Sequence, residues 1–227
     1  MSDWIGHECG IAAIRLLKPL DYYIQKYGTP MYGVNKLTLL MEKQHNRGQD
    51  GAGAAVIKLD MPPGEPYIFR TRSAGKNPIM EVSNRLVRSF AEARDRNPKE
   101  YQNGKWAKEN ILFAGELLLG HLRYGTFGGS GETFCHPFLR QNNWMTRNLV
   151  MAGNFNLTNN AELFEMLVDL GQHPRNRTDT VIVLEKIGHF LDEANDAIFR
   201  KYNKQKIDRK EITKHIIKDL DIPMVLR

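Results

Sequence analysis

Apolar runs of strand length recur through the first two thirds of the chain, and helix-spaced apolar positions dominate the last third. Residues 11–17 read as a strand, followed by a polar and aromatic connection to Thr29-Pro30. The spacing predicts a helix over 37–44 that ends before the turn signal Asn46-Arg47-Gly48. Residues 53–59 and 67–73 read as two strands, and Asp60-Met61-Pro62-Pro63-Gly64-Glu65 between them predicts a hairpin. An amphipathic helix follows over 84–96, then a polar stretch, 97–110, read as an exposed loop. Residues 117–124 make a buried strand and 144–152 another. Helices are predicted over 161–170, 179–202 and 212–220. In the longest, Val183, Ile187, Phe190, Leu191, Ala194 and Ile198 form the expected buried face. Hairpin strands with helices clustered outside them predict an α+β layered domain, and no internal repeat is visible.

Composition narrows this picture. With 227 residues, 41% of them hydrophobic, the chain can bury one good core, and 26% charged residues argue against wholesale disorder. Only Cys9 and Cys135 are present, which disfavours a disulfide framework or an all-cysteine metal centre and makes a reducing cytoplasm the default. The seven histidines show no ligand spacing, so no metal site and no cofactor is expected in this chain. The start lacks the basic and apolar stretches of a signal peptide, and no apolar run is long enough to span a bilayer. No membrane partner is expected. The net charge of +6 is concentrated in residues 200–227, which hold nine Lys or Arg against four Asp or Glu. Without interleaved aromatics, that segment reads as a solvated basic helix rather than a nucleic-acid interface.

Four short motifs carry candidate chemistry. Cys9 opens Cys-Gly-Ile-Ala-Ala-Ile; Arg47 opens Arg-Gly-Gln-Asp-Gly-Ala-Gly; Arg123 and Tyr124 lie in Gly-His-Leu-Arg-Tyr-Gly-Thr; and Asn154 lies in Gly-Asn-Phe-Asn-Leu-Thr-Asn. Any one has an ordinary reading: a packed thiol, an ion-paired arginine, a turn asparagine, or, for Asp179, a helix cap. A cysteine at a mature N-terminus is different, because its own α-amino group titrates near 7.7–8.0 and can activate the thiol. That amine exists only after the Glu8–Cys9 bond is cleaved.

Taken in order, these motifs resemble those of class II glutamine amidotransferases, over roughly residues 9–192, with 60–112 as an enlarged insert. The resemblance implies a four-layer α/β/β/α sandwich of two facing, largely antiparallel sheets. It implies that Cys9 is the nucleophile, and that the Asn154 amide with the Phe155 N–H forms the oxyanion hole. Arg123 then grips the α-carboxylate of glutamine and Asp179 its α-ammonium, with Tyr124 and Thr126 beside them and Arg47 positioning the nucleophile. Gly125, Gly128, Gly129 and Gly131 fall in a glutamine loop that closes over substrate. Where the family usually has His-Asn-Gly-Asn-Leu-Thr-Asn, this chain has glycine at 153 and phenylalanine at 155, whose Cβ resists a positive φ.

The motifs look most like those of amidophosphoribosyltransferases. The resemblance therefore implies that ammonia from glutamine passes to a phosphoribosyltransferase domain or partner chain for purine synthesis, in an enzyme that is a homo-oligomer. The implied organisation is a propeptide over 1–8, a glutaminase domain over 9–199, and a basic helical segment over 200–227 leading to the missing domain. A masked or weakly catalytic binding module of the same fold is the alternative, as is the glutaminase of another class II enzyme.

Overall fold

A computed structural model describes residues 8–125 and 131–227. The chain forms two compact units, one of residues up to Pro137 plus Ala152–Asn154, the other of Phe138–Met151 and Phe155–Arg227.

The first unit is built on a four-stranded antiparallel sheet. Its elements in chain order are β1 (Gly10–Arg15), α1 (Leu20–Tyr27), α2 (Tyr32–Lys43), β2 (Gly51–Ile57), β3 (Ile68–Ser73), α3 (Pro78–Arg96), α4 (Gly104–Asn110) and β4 (Leu117–Arg123). Spatial order is β1-β4-β2-β3, so β4, last in sequence, sits between β1 and β2. Its central place follows from composition, since Leu118 and Leu122 are buried on one face. There they join Ala12, Ala52, Ala54 and Val56 of the sheet with Leu37 and Met41 of α2 and Val82, Leu86 and Phe90 of α3. Strand alternation then assigns Leu117, Leu119, His121 and Arg123 to the opposite face.

Two sequence expectations in this unit change. The connection after β1 contains α1, held by buried Leu20 and Ile24 one helical turn apart. It is short, and its aromatic residues stack on Tyr32 of α2, Tyr23 at 4.9 Å and Tyr27 at 4.3 Å, instead of marking a long apolar stripe. The stretch 97–110 is likewise no exposed loop. Asn103 caps α4 by accepting the Trp106 N–H at 2.9 Å, Asp21 accepts the Gly104 N–H at 2.7 Å, and Tyr101 and Ala107 are buried. Polar caps hid a short helix with few core residues.

The second unit is largely helical. It contains β5 (Phe138–Arg140), β6 (Leu149–Met151), α5 (Asn160–Asp169), α6 (Asp179–Lys204), α7 (Arg209–Asp219) and α8 (Ile222–Val225), with β5 and β6 paired antiparallel. The expected long strand over 144–152 shrinks to β6. Before it, Asn148 accepts the Asn142 N–H at 2.5 Å and Asn142 accepts the Trp144 N–H at 2.9 Å, local bonds that draw the backbone out of a ladder.

The buried face of α6 also differs from expectation. It runs through Val181, Leu184, Gly188, Leu191 and Asn195, while Phe190 is exposed. Polar partners decide the face. Asn195 is fully buried, donating to the Leu191 carbonyl at 2.7 Å and the Thr146 carbonyl at 3.3 Å. Arg140 donates to Asp192 at 2.5 Å and to Glu185 at 3.3 Å. The basic segment at the C-terminus is packed as well. Ile212 and Ile216 of α7 are fully buried, and Tyr202 of α6 stacks on His215 with ring centres 4.3 Å apart.

Candidate active site

One end of the first unit's sheet gathers four of the sequence-predicted residues. Gly10 pairs with Leu122, so Cys9, one residue earlier, falls beside the Arg123 end of β4. Its sulfur lies 4.0 Å from the Tyr124 carbonyl oxygen. Gly51 of β2 pairs with Arg123 from the other side. The turn before β2 is tied to the same place: the Asp50 N–H donates to the Arg123 carbonyl at 3.0 Å, and the Asp50 carboxylate accepts the Gly125 N–H at 2.8 Å. Arg47, in that turn, pairs with Glu8 at 3.6 Å. Arg123 is buried, its guanidinium 6.0 Å from the centre of the Phe134 ring. Asp50 thus joins the Arg47 and Arg123 motifs, a role legible only as an acidic residue immediately before a strand.

The open face of the sheet carries a second arrangement that the sequence reading left unassigned. Gly51 and Gly53 have no side chain, and a Cβ at these positions would run into the Cys135 sulfur and the His136 carbonyl oxygen respectively. Residues 133–137 therefore lie flat on β2. Arg72 fixes them by donating to the Thr133 and Cys135 carbonyls at 3.3 and 3.1 Å, and Arg70 by donating to the Pro137 carbonyl at 3.2 Å. Cys135 is fully buried, and burial raises its thiol pKa, which leaves it unreactive.

This placement stacks the His136 ring on that of His121, 4.2 Å between centres and 21° from parallel. Both rings reach Gly153. His136 Nδ1 accepts the Gly153 N–H at 3.1 Å, and His121 Nε2 lies 3.2 Å from the Gly153 carbonyl oxygen. Burial, outweighing the bond to Gly153, lowers the pKa of His121 to about 4. Burial, with His121 and Arg123 nearby, lowers that of His136 to about 3. Both are neutral at pH 7. Because the Gly153 carbonyl only accepts, His121 must carry its proton on Nε2; because the N–H only donates, His136 must leave Nδ1 bare. His121 Nδ1 is buried with no hydrogen-bond partner among the described residues. Asn154, the next residue, is exposed. Since His121 pairs with Ile11, two residues past Cys9, this turn is tied to the strand pair that carries Cys9 and Arg123.

Phe155 and Asp179 belong to the second unit. The non-glycine residues with positive φ among those described are Asp60 and Lys206, so Phe155 has no left-handed backbone to resist. Asp179 opens α6, and its two carboxylate oxygens accept separate donors, the Leu157 N–H at 2.9 Å and the Asn160 side-chain amide. It thereby holds the Asn-Leu-Thr-Asn turn, while each oxygen keeps a lone pair for a further donor. Thr126, Gly128 and Gly129 lie outside the described residues.

No protein-family model matches the sequence. Two curated relatives do. Amidophosphoribosyltransferase of Bacillus subtilis is 31% identical over 164 residues, covering 70% of this chain and 26% of the relative. The isomerizing glutamine–fructose-6-phosphate aminotransferase of Shewanella oneidensis is 26% identical over 191 residues, covering 79% of this chain and 26% of its own length. The chain thus spans about a quarter of the length of each. Among solved structures, glutamine phosphoribosylpyrophosphate amidotransferase from B. subtilis, complexed with ADP and GMP, aligns with a TM-score of 0.44 and 25% identity over 79% of this chain and 28% of that one. Among the described residues, no helix is long and apolar enough to cross a membrane. Over most of its length the chain is thus homologous to a part of these class II glutamine amidotransferases.

Proposed function

We propose that this chain is a glutaminase domain that hydrolyses the side-chain amide of glutamine at Cys9 and delivers the ammonia to a phosphoribosyltransferase domain or partner. The observation that carries the reading is the position of Cys9, beside the Arg123–Tyr124 end of β4, its sulfur 4.0 Å from the Tyr124 carbonyl. In the proposed reaction, the freed α-amine of Cys9 takes the thiol proton and the thiolate attacks the amide carbon. The developing oxyanion is met by the Asn154 side-chain amide and the Phe155 N–H. The ammonium proton passes to the leaving nitrogen, ammonia departs, and water hydrolyses the thioester to glutamate.

Substrate grip falls to Arg123 and Asp179. A buried planar guanidinium suits two parallel bonds to the α-carboxylate, and the remaining lone pairs of Asp179 suit the α-ammonium. Tyr124, Thr126 and Arg47 complete the proposed pocket in a four-layer sandwich. Residues 1–8 act as a propeptide in this reading, since an unprocessed Cys9 has an amide nitrogen that cannot act as a base. Homo-oligomeric assembly and a cytoplasmic location belong to the same proposal.

The test is ammonia release from glutamine, paired with intact mass, for the wild type and a version beginning Met-Cys9. Activity is expected once the chain starts at Cys9, and Cys9→Ala should abolish it. Full activity from protein still carrying residues 1–8 would remove the propeptide from the proposal. A second reading, a masked binding module, draws on the Glu8–Arg47 ion pair, which engages the extension. It gains if the version starting at Cys9 is inert after its initiator Met is gone. The relative from S. oneidensis keeps a different acceptor in view, and adding phosphoribosyltransferase or sugar-phosphate isomerase partners in turn distinguishes them.

A further inference from the structure

We infer that His121 and His136 are positioning residues that hold Gly153 by both of its backbone polar groups and so aim the Asn154 amide. This rests on the proposed oxyanion role of Asn154. Three observations carry it. Gly153 is buried and has no side chain of its own. Gly153 itself can therefore be held only through its backbone, and glycine has the widest choice of φ and ψ. One ring accepts its N–H at 3.1 Å and the other lies 3.2 Å from its carbonyl oxygen, which fixes the peptide planes on both sides of the residue.

The rings are themselves fixed. They stack on each other, and residues 135–137 are pinned by the glycine aisle of β2 and the guanidinium groups of Arg70 and Arg72. The buried Nδ1 of His121, without a hydrogen-bond partner among the described residues, is a cost that a leucine or methionine at this position would avoid. A polar ring kept there at that cost is explained by the bond that its other nitrogen makes to Gly153. Supporting groups of this kind decide whether an oxyanion donor sits within about 0.5 Å of its productive place.

The test uses glutamine hydrolysis by the version beginning Met-Cys9. His136→Leu removes the acceptor and His121→Leu the donor; His136→Asn and His121→Gln restore an acceptor near Nδ1 and a donor near Nε2. The leucine variants should lose kcat by roughly 10–100-fold, short of the about 10²–10³-fold cost of deleting an oxyanion donor outright. KM should stay near wild type, and the Asn and Gln variants should recover most of kcat. A purely packing role predicts the opposite pattern, with a lowered Tm, unchanged kcat and no advantage of Asn over Leu. That result overturns the inference. Asn154→Ala separates the two levels. If it lowers kcat while folded His136→Leu does not, the clamp is wrong and the oxyanion reading stands. If Asn154→Ala leaves kcat intact, both fall. Should the wild type prove inactive, the Asn154 side-chain amide resonances of isotope-labelled protein serve instead. They should move in His136→Leu and return in His136→Asn, and unmoved resonances refute the clamp.

Discussion

In the first unit a sheet buries a continuous apolar layer against α2 and α3 alongside the buried charges of Lys58, Glu116 and Arg123, whereas in the second a small apolar cluster of Phe138, Val181 and Leu184 lies with a network of partly buried ion pairs. Arg140 and Arg147 reach Glu185, Asp192 and Asp196 along α6, and a buried asparagine lies one turn beyond Leu191. The proposed nucleophile and its supporting turn rest on the apolar unit, and the proposed ammonium-binding carboxylate rests on the polar one. The contrast suggests a division of labour. Apolar packing is not screened by salt and tolerates little displacement, which suits the reacting atoms. A network of partly exposed ion pairs is weaker and screened by salt.

The largest effect should come from the apolar side. Phe90 is fully buried in the first unit's core, and Phe90→Ala should cost about 3–5 kcal/mol in urea denaturation. A loss much below that would mean the two units are not as different as their interiors suggest.

Acid should come next, and it acts on the first unit. His121 and His136 have native pKa values near 4 and 3, below the unfolded value near 6.5, so the unfolded chain binds more protons in between. Their contribution is fully present above pH 6.5 and is lost as the pH falls towards 4 and 3, on the order of 3–5 kcal/mol per histidine. Unfolding free energies across that window should show the slope, and His121→Gln should flatten it.

Within the second unit, Arg140→Met should cost about 2 kcal/mol, less than a fully buried pair because Asp192 and Glu185 keep some solvent. Repeating the measurement in 1 M salt should shrink the difference, and a salt-independent loss would mean that packing dominates. Smallest is Thr146→Val, which removes the hydroxyl bonded to Asn195, at about 1 kcal/mol.

Most strands and long helices were legible because their apolar spacing is strong: β2, β3 and β4 fall within two residues of the predicted bounds. The failures share a cause. α1 and α4 have only two buried helical positions each to mark them, and the start of α4 is set by Asp21, distant in sequence, and by Asn103, hidden in a polar run. The buried face of α6 was misread because Asn195 and Gly188, which a hydropathy pattern excludes, lie on it. At the site, Cys9, Arg47, Arg123 and Asn154 stood out as motif residues. Asp50, His121 and His136 sit in or beside those motifs, yet their partners are backbone groups of Gly125 and Gly153, about 75, 30 and 20 residues away, which no local pattern announces.

The glycine aisle of β2 also sorts the protein's two thiols. Cys135 lies sealed over Gly51, donating to the Ser73 carbonyl at 3.4 Å, whereas Cys9 is partly open to solvent. A maleimide added to native protein should therefore be consumed in one equivalent, at Cys9, and a second equivalent should react only as residues 133–137 lift from the sheet. The chain carries its own clock for that opening, readable without any introduced label site.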